Sequence, residues 1–131
     1  MIVIDASALL EVLLTTGVGA RVHARLSSGE ETLHAPHLLD LEIIHVLRRY
    51  CLIGQLQPNR AAEALVDLRD LRLVRHPHEP YVPRIWQLRH SLTAYDAAYV
   101  ALAEALQAPL ITRDSRLASA HGHRAKIELI A

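Results

Sequence analysis

The sequence contains no phenylalanine and has only one cysteine, one tryptophan and one lysine among its 131 residues. Without phenylalanine, a buried core has to be built from leucine, isoleucine, valine and alanine. The lone Cys51 has no partner for an internal disulfide, which fits a reducing compartment and predicts a cytoplasmic protein. No apolar run approaches the roughly 20 residues that span a bilayer, so no membrane segment is expected.

Length and charge predict one soluble domain over residues 1–131, large enough for a real core but too short for two. The formal net charge of zero argues against broad attraction to nucleic acid. That balance hides a bias, because every basic residue except Lys126 is an arginine. The planar guanidinium of arginine suits phosphate and carboxylate groups.

Short apolar runs alternate with longer helical stretches, and few residues connect them. The predicted strands lie at residues 2–4, 32–35, 71–74, 110–112 and 126–130. The predicted helices lie at residues 8–14, 18–26, 37–53, 58–68, 81–90 and 95–107. This alternation predicts an α/β domain with a mostly parallel sheet. Such sheets bind ligands at the carboxyl ends of their strands, which directs attention to the residues found there.

Two aspartates follow predicted strands. Asp5 comes directly after the first strand, and Asp114 comes two residues after the strand that ends at Thr112. A carboxylate at such an edge is costly to bury unless it is paired or binds a cation. Either residue could instead serve only as the N-cap of the following helix. Two such positions in one small domain favour a site.

Two further acids stand in apolar surroundings. Asp96 lies in the first turn of an alanine-rich helix, where an exposed acid would also suit the helix dipole. Glu42 is embedded in an apolar helix and is expected to point inward or into a cleft, whereas Asp40 is expected to be solvated. Four acids at one rim would repel one another, and a hard divalent cation with oxygen ligands, Mg²⁺ or Mn²⁺, would relieve that repulsion.

Four segments together resemble the PIN domain, and most closely the VapC-type toxins of bacterial toxin–antitoxin pairs. They are residues 4–8 around Asp5, the helix carrying Glu42 after Pro36, the stretch YDAAYVALA at 95–103, and LITRDSRL at 110–117. The last two are the specific ones, and the resemblance covers essentially the whole chain.

The resemblance implies a three-layer α/β/α fold, a homodimer, and Mg²⁺- or Mn²⁺-dependent endoribonuclease activity on tRNA or ribosomal RNA. It implies an antitoxin partner whose tail occupies the active site. The implied metal-binding residues are Asp5, Glu42, Asp96 and Asp114. Hydroxyls that the family often places beside the acids correspond to Ser7, Thr112 and Ser115, although each could merely cap a helix or turn.

The sequence departs from the family pattern at two positions. Arg116 stands where some relatives carry a further acid or asparagine, which favours one firmly held metal ion. His45 replaces a smaller polar residue and is expected to pack or hydrogen-bond locally. The histidine pairs 76/78 and 121/123 fall in predicted loops without further ligands, so zinc is not expected.

Two other functions remain open on the sequence. One is a catalytically weak PIN-like protein that binds RNA or a partner without cutting. The other is a different metal-dependent phosphoesterase.

Overall fold

The computed structural model describes all 131 residues and contains one five-stranded sheet. The strands are β1 (Ile2–Ile4), β2 (Leu33–Pro36), β3 (Leu73–His76), β4 (Leu110–Thr112) and β5 (Ile127–Leu129). The helices are α1 (Ala6–Leu13), α2 (Gly17–Leu26), α3 (Leu38–Leu52), α4 (Pro58–Asp70), α5 (Val82–Gln87), α6 (Ala94–Leu106) and α7 (Ser115–Ala118). A 3₁₀ turn at Glu79–Tyr81 precedes α5.

The strand order is β3-β2-β1-β4-β5, and every neighbouring pair is parallel. The chain builds outward from β1 through β2 to β3, then returns to the other side of β1 for β4 and β5. All three residues of β1 are completely buried, so both faces of the sheet are covered by helices. The predicted three-layer α/β/α fold with a parallel sheet is confirmed.

Local sequence signals account for the helix boundaries that frame the carboxyl edge of the sheet. The side chain of Asp5 caps α1 by accepting a hydrogen bond from the Ala8 amide. Thr93 caps α6 in the same way, through the Asp96 amide. At its other end α6 terminates at Gln107, which adopts the left-handed conformation with φ of 52°.

The core is aliphatic, as the composition predicts. Tyr99 is the one aromatic side chain among the fully buried residues, whereas Trp86 is 66% exposed. Helices α1 and α2 pack so closely that a side chain at Gly19 would collide with the backbone carbonyl of Glu11. That close approach explains a glycine inside a helix, where it otherwise lowers stability.

The third strand is displaced from its predicted position. It spans Leu73–His76 rather than 71–74, and the prediction that His76 lies in a loop is wrong. Pairing with β2 draws these residues into the sheet, with His76 opposite Pro36. The His34 and His76 rings also hydrogen-bond to each other, Nδ1 to Nε2, at 2.8 Å. No helix in the structure is both long enough and apolar enough to cross a membrane.

Candidate active site

Asp5 and Asp114 meet where the strand order reverses. Strands β1 and β4 are neighbours, and the Asp5 amide donates to the Ile111 carbonyl at 3.2 Å. A reversal of strand order leaves a crevice at the carboxyl ends of the two strands, because their connections leave in opposite directions. Asp5 directly follows β1, and Asp114 lies two residues beyond β4.

Asp5 is held by hydrogen bonds to both carboxylate oxygens. Oδ1 accepts from the Ser7 hydroxyl at 2.6 Å and from the Ala8 amide at 3.0 Å. Oδ2 accepts from the Thr112 hydroxyl. The residue is 6% exposed, and burial raises the pKa of its carboxyl although these hydrogen bonds act in the opposite direction. Asp5 is therefore both a helix cap and a fixed, buried carboxylate in the crevice.

The Ser7 and Thr112 hydroxyls also tie the end of β4 to α1. Thr112 Oγ1 accepts from the Asp114 amide at 2.9 Å, and Ser7 Oγ accepts from the Arg113 amide at 3.0 Å. Asp114 in turn caps α7 by accepting from the Arg116 amide at 2.9 Å. These bonds connect the loop after β4 to the residues that hold Asp5.

Glu42 enters the crevice from α3, and Asp96 enters from the first turn of α6. Burial raises the pKa of Glu42, with further increases from the charges of Asp5 and Asp96. Burial also raises the pKa of Asp96, with a further increase from Asp114. Both side chains are half-buried, as their apolar surroundings predict.

Tyr99 is a site residue that sequence reasoning missed. Its hydroxyl donates to Glu42 Oε1 at 2.6 Å, and its side chain is 1% exposed. Burial, and then the charge of Glu42, raise the pKa of this phenol, so it stays a hydrogen-bond donor. The available signal was its spacing of three residues from Asp96, because residues at that spacing share a helix face.

The four acids line one cleft of about 210 Å³, which we call the acidic cleft. Its walls are Asp5, Ala6, Ser7, Leu10, Glu42, Val46, Asp96, Tyr99 and Asp114, with no lysine, arginine or histidine among them. A larger groove of about 430 Å³ is mostly apolar and contains none of these acids. The four acids therefore share the acidic cleft and not the apolar groove.

The remaining sequence predictions have mixed outcomes. Ser115 is exposed and its hydroxyl makes no hydrogen bond, so the structure does not bring it to the acids. His45 is exposed, makes no hydrogen bond and does not line the cleft. Asp40 points elsewhere, as predicted, but it is not simply solvated. Arg75 donates to both of its oxygens, at 2.6 and 2.9 Å.

No three histidine, cysteine, aspartate or glutamate side chains approach closely enough in this structure to enclose a metal ion. The donor set of the acidic cleft nevertheless matches a hard divalent cation, because it consists of carboxylate oxygens. Burial and mutual repulsion raise the pKa of three of these acids. A cation would offset that repulsion and favour the charged forms.

Comparison with known proteins assigns the chain to a family. Residues 2–122 match the PIN domain. The chain is 46% identical over 131 residues to Ribonuclease VapC12 of Mycobacterium tuberculosis, covering 100% of both chains. It is 46% identical over 129 residues to Ribonuclease VapC1 of that organism, covering 98% of this chain and 96% of the relative.

The solved structure of VapBC2 from Rickettsia felis, bound to a DNA fragment from its promoter, shares the fold. The TM-score is 0.70 with 12% sequence identity, and 98% of each chain is covered. A parallel α/β sheet with acids gathered where its strand order reverses defines the class of protein. The chain belongs to the PIN-domain family and, within it, to the VapC-type ribonuclease toxins.

Proposed function

We propose that this chain is an Mg²⁺- or Mn²⁺-dependent endoribonuclease that hydrolyses phosphodiester bonds of tRNA or ribosomal RNA. The observation that carries the proposal is the acidic cleft, in which four carboxylates converge without a neutralising side chain in its walls. Such a cleft is poorly suited to an anionic substrate unless a cation binds there. The ribonuclease names of the relatives at 46% identity support the same activity.

Asp5, Glu42, Asp96 and Asp114 would hold the cation. When bound, a divalent cation lowers the pKa of water and stabilises charge on the phosphate and leaving oxygen. The protein contributes fixed positions for these ligands. Ser7, Thr112 and the Ala8 amide hold Asp5 in one orientation.

The Tyr99 hydroxyl orients Glu42 by occupying its Oε1 atom, which leaves Oε2 free for other interactions. Carboxylates held in this way lose little conformational entropy when a ligand binds. Because no histidine or lysine lines the cleft, a proton released from water passes to a carboxylate or to solvent.

The proposal includes partners of two kinds. One is an antitoxin that neutralises the enzyme, which is the partner expected of a VapC-type toxin. The other is a second copy of this chain. The apolar groove of about 430 Å³ supports binding of protein, because it exposes large apolar side chains, including Trp86 and Tyr95. A single cytoplasmic domain over residues 1–131 completes the proposal.

Asn substitution at two acids tests the activity. The Asp5→Asn and Asp96→Asn proteins should lose Mg²⁺- and Mn²⁺-dependent RNA cleavage while keeping a native circular-dichroism spectrum. Asp67→Asn is the matched control, because Asp67 is exposed on α4 and its carboxylate makes no hydrogen bond or ion pair. Undiminished cleavage by either cleft variant would exclude the proposed site.

A substrate panel separates the other two functions. Purified wild-type protein is incubated with tRNA, ribosomal RNA and single-stranded DNA, with Mn²⁺ and with EDTA. Cleavage of RNA only with Mn²⁺ supports the proposal, whereas preference for DNA indicates a different phosphoesterase. Binding of Mn²⁺ in calorimetry without any cleavage indicates a protein that binds but does not cut.

A further inference from the structure

Arg116 is a basic side chain that lies close to the acids of the cleft, both in the chain and in its electrostatic effect on them. It lies in α7, two residues after Asp114, and its Nε is 3.6 Å from Asp114 Oδ1. It is also the one basic residue whose charge lowers the pKa of any of Asp5, Glu42 and Asp96, and the acid it acts on is Asp96. Arg116 therefore stands at the rim of a cleft that has no cation in its walls.

The guanidinium of Arg116 is free for a ligand. Its side chain is 92% exposed. None of the guanidinium nitrogens makes a hydrogen bond, since the 3.6 Å between Nε and Asp114 Oδ1 is too long for one. Four other arginines are engaged by carboxylates within the fold, through hydrogen bonds of 2.6–3.0 Å. They are Arg25, Arg75, Arg84 and Arg113.

Arg113 makes the contrast clear, because it directly precedes Asp114 and is even closer to it in sequence than Arg116. Its Nη1 donates to Glu11 at 2.6 Å and its Nε donates to the Ile130 carbonyl at 3.4 Å. Arg113 thus joins α1 to the end of the chain and has a structural role. Arg116 makes no comparable contact with the rest of the fold.

The backbone fixes where the Arg116 side chain starts. The Arg116 amide donates to Asp114 Oδ1 at 2.9 Å, so the residue is anchored in the turn that caps α7. The side chain can move while its Cα stays beside the cleft. An arginine in this situation can form two parallel hydrogen bonds to a phosphate, which lysine cannot reproduce.

We propose that Arg116 binds a phosphate of the RNA strand beside the bond that is cleaved. The inference rests on the proposed function and deepens it. In the free protein the same guanidinium lies near Asp114 and weakens the attraction of the cleft for a divalent cation. Loss of Arg116 should therefore weaken RNA binding and strengthen cation binding. A merely structural residue would weaken both, and an isolated surface ion pair would affect neither appreciably.

Three variants test this inference. Arg116→Ala removes the charge, and Arg116→Lys keeps the charge but removes the planar fork. Arg72→Ala is the matched control, since Arg72 is exposed and makes no ion pair. It precedes the outer strand β3, two strands away from β1. Circular dichroism is used to check that all three variants are folded.

Two equilibrium measurements are made on each protein. Fluorescence anisotropy with saturating Ca²⁺ in place of Mn²⁺ reports binding of a labelled, mixed-sequence single-stranded RNA across a series of salt concentrations. Calorimetry reports binding of Mn²⁺ in the absence of RNA. Neither measurement depends on cleavage.

We expect Arg116→Ala to bind RNA about tenfold more weakly, with a salt slope smaller by roughly 0.7, the value for one phosphate contact on a single strand. We expect it to bind Mn²⁺ roughly threefold more tightly. Arg116→Lys should bind Mn²⁺ like the wild type and bind RNA with intermediate affinity. Arg72→Ala should match the wild type in both measurements.

The inference is overturned if Arg116→Ala shows any other combination of RNA affinity and Mn²⁺ affinity. Unchanged RNA binding is one such result, and a loss of affinity for both RNA and Mn²⁺ is another. Failure of the proposed function is a separate result. It would be seen as absence of Mn²⁺-dependent RNA cleavage by the wild type in the substrate panel.

Discussion

Removal of one buried hydroxyl, in the Tyr99→Phe variant, tests how the acidic cleft keeps its shape. The hydroxyl donates to Glu42 Oε1 at 2.6 Å, and the ring is completely packed in the core. Phenylalanine retains the ring and its packing, so the substitution removes the hydrogen bond with little other change. Glu42 then remains half-buried without its one side-chain donor.

The expected loss of stability follows from the charge of the acceptor. A hydrogen bond to a charged group contributes about 1.5–3 kcal/mol, and water can reach part of the half-buried Glu42. We therefore expect the free energy of unfolding to fall by about 1–2 kcal/mol at neutral pH. The pKa of Glu42 should rise further, because the bond from Tyr99 lowers it in the wild type.

Metal affinity should fall as well, since the freed Glu42 side chain loses its orientation. Loss of a group that orients a metal ligand typically costs about tenfold or more in affinity. The loss should be larger at mildly acidic pH than at alkaline pH, because a raised pKa leaves more of Glu42 protonated there. Urea denaturation measures the stability, and calorimetry with Mn²⁺ at several pH values measures the affinity.

Tyr81→Phe is the matched control for this experiment. Tyr81 is half-buried against the core, and its hydroxyl makes no hydrogen bond. If Tyr99→Phe and Tyr81→Phe have the same stability and bind Mn²⁺ equally well at every pH, the hydrogen bond does not orient Glu42.

Three further predictions concern charge and backbone. Because the folded pKa of Asp96 is raised, metal-free wild type should lose stability relative to Asp96→Asn as pH rises from about 4 to 7. Added Mg²⁺ should reverse that difference; a pH-independent difference in thermal melts would contradict the predicted repulsion. Gly19→Ala should destabilise the fold by about 1–3 kcal/mol in urea titrations, since its methyl group would lie 2.6 Å from the Glu11 carbonyl carbon. A fully stable alanine variant would show that α1 and α2 can separate at no cost. Gln107→Gly should raise stability by about 0.5–1 kcal/mol, because φ is 52° there. An unchanged or lower melting temperature would contradict that estimate.

Much of the fold was predictable because its signals are local. The fully apolar residues 2–4 and 110–112 predict buried parallel strands, and both lie where expected. Strand β3 lies two residues further along the chain than its apolar pattern predicts, because its register depends on pairing with β2. The hydrogen bond between the His34 and His76 rings, which lie 42 residues apart in the chain, is a contact of this non-local kind.

The acids of the cleft were predictable to different degrees. Asp5 and Asp114 follow strands directly, so a parallel sheet brings them to one edge. The partner of Glu42 was not predictable, since Tyr99 lies 57 residues away on another helix. The solvated state predicted for Asp40 was wrong for a similar reason, because Arg75 reaches it from a strand 35 residues further along.

The sequence by itself determined the class of fold, the aliphatic core and the four candidate acids, because periodicity, composition and residue type express these properties locally. Only the tertiary structure decided that β1 and β4 are neighbours where the strand order reverses. It alone decided that the Tyr99 hydroxyl donates to Glu42 and that Arg113 donates to Glu11, whereas the exposed Arg116 side chain makes no hydrogen bond. These contacts depend on packing between segments that are distant in the chain. A local sequence pattern therefore cannot predict their hydrogen-bond geometry.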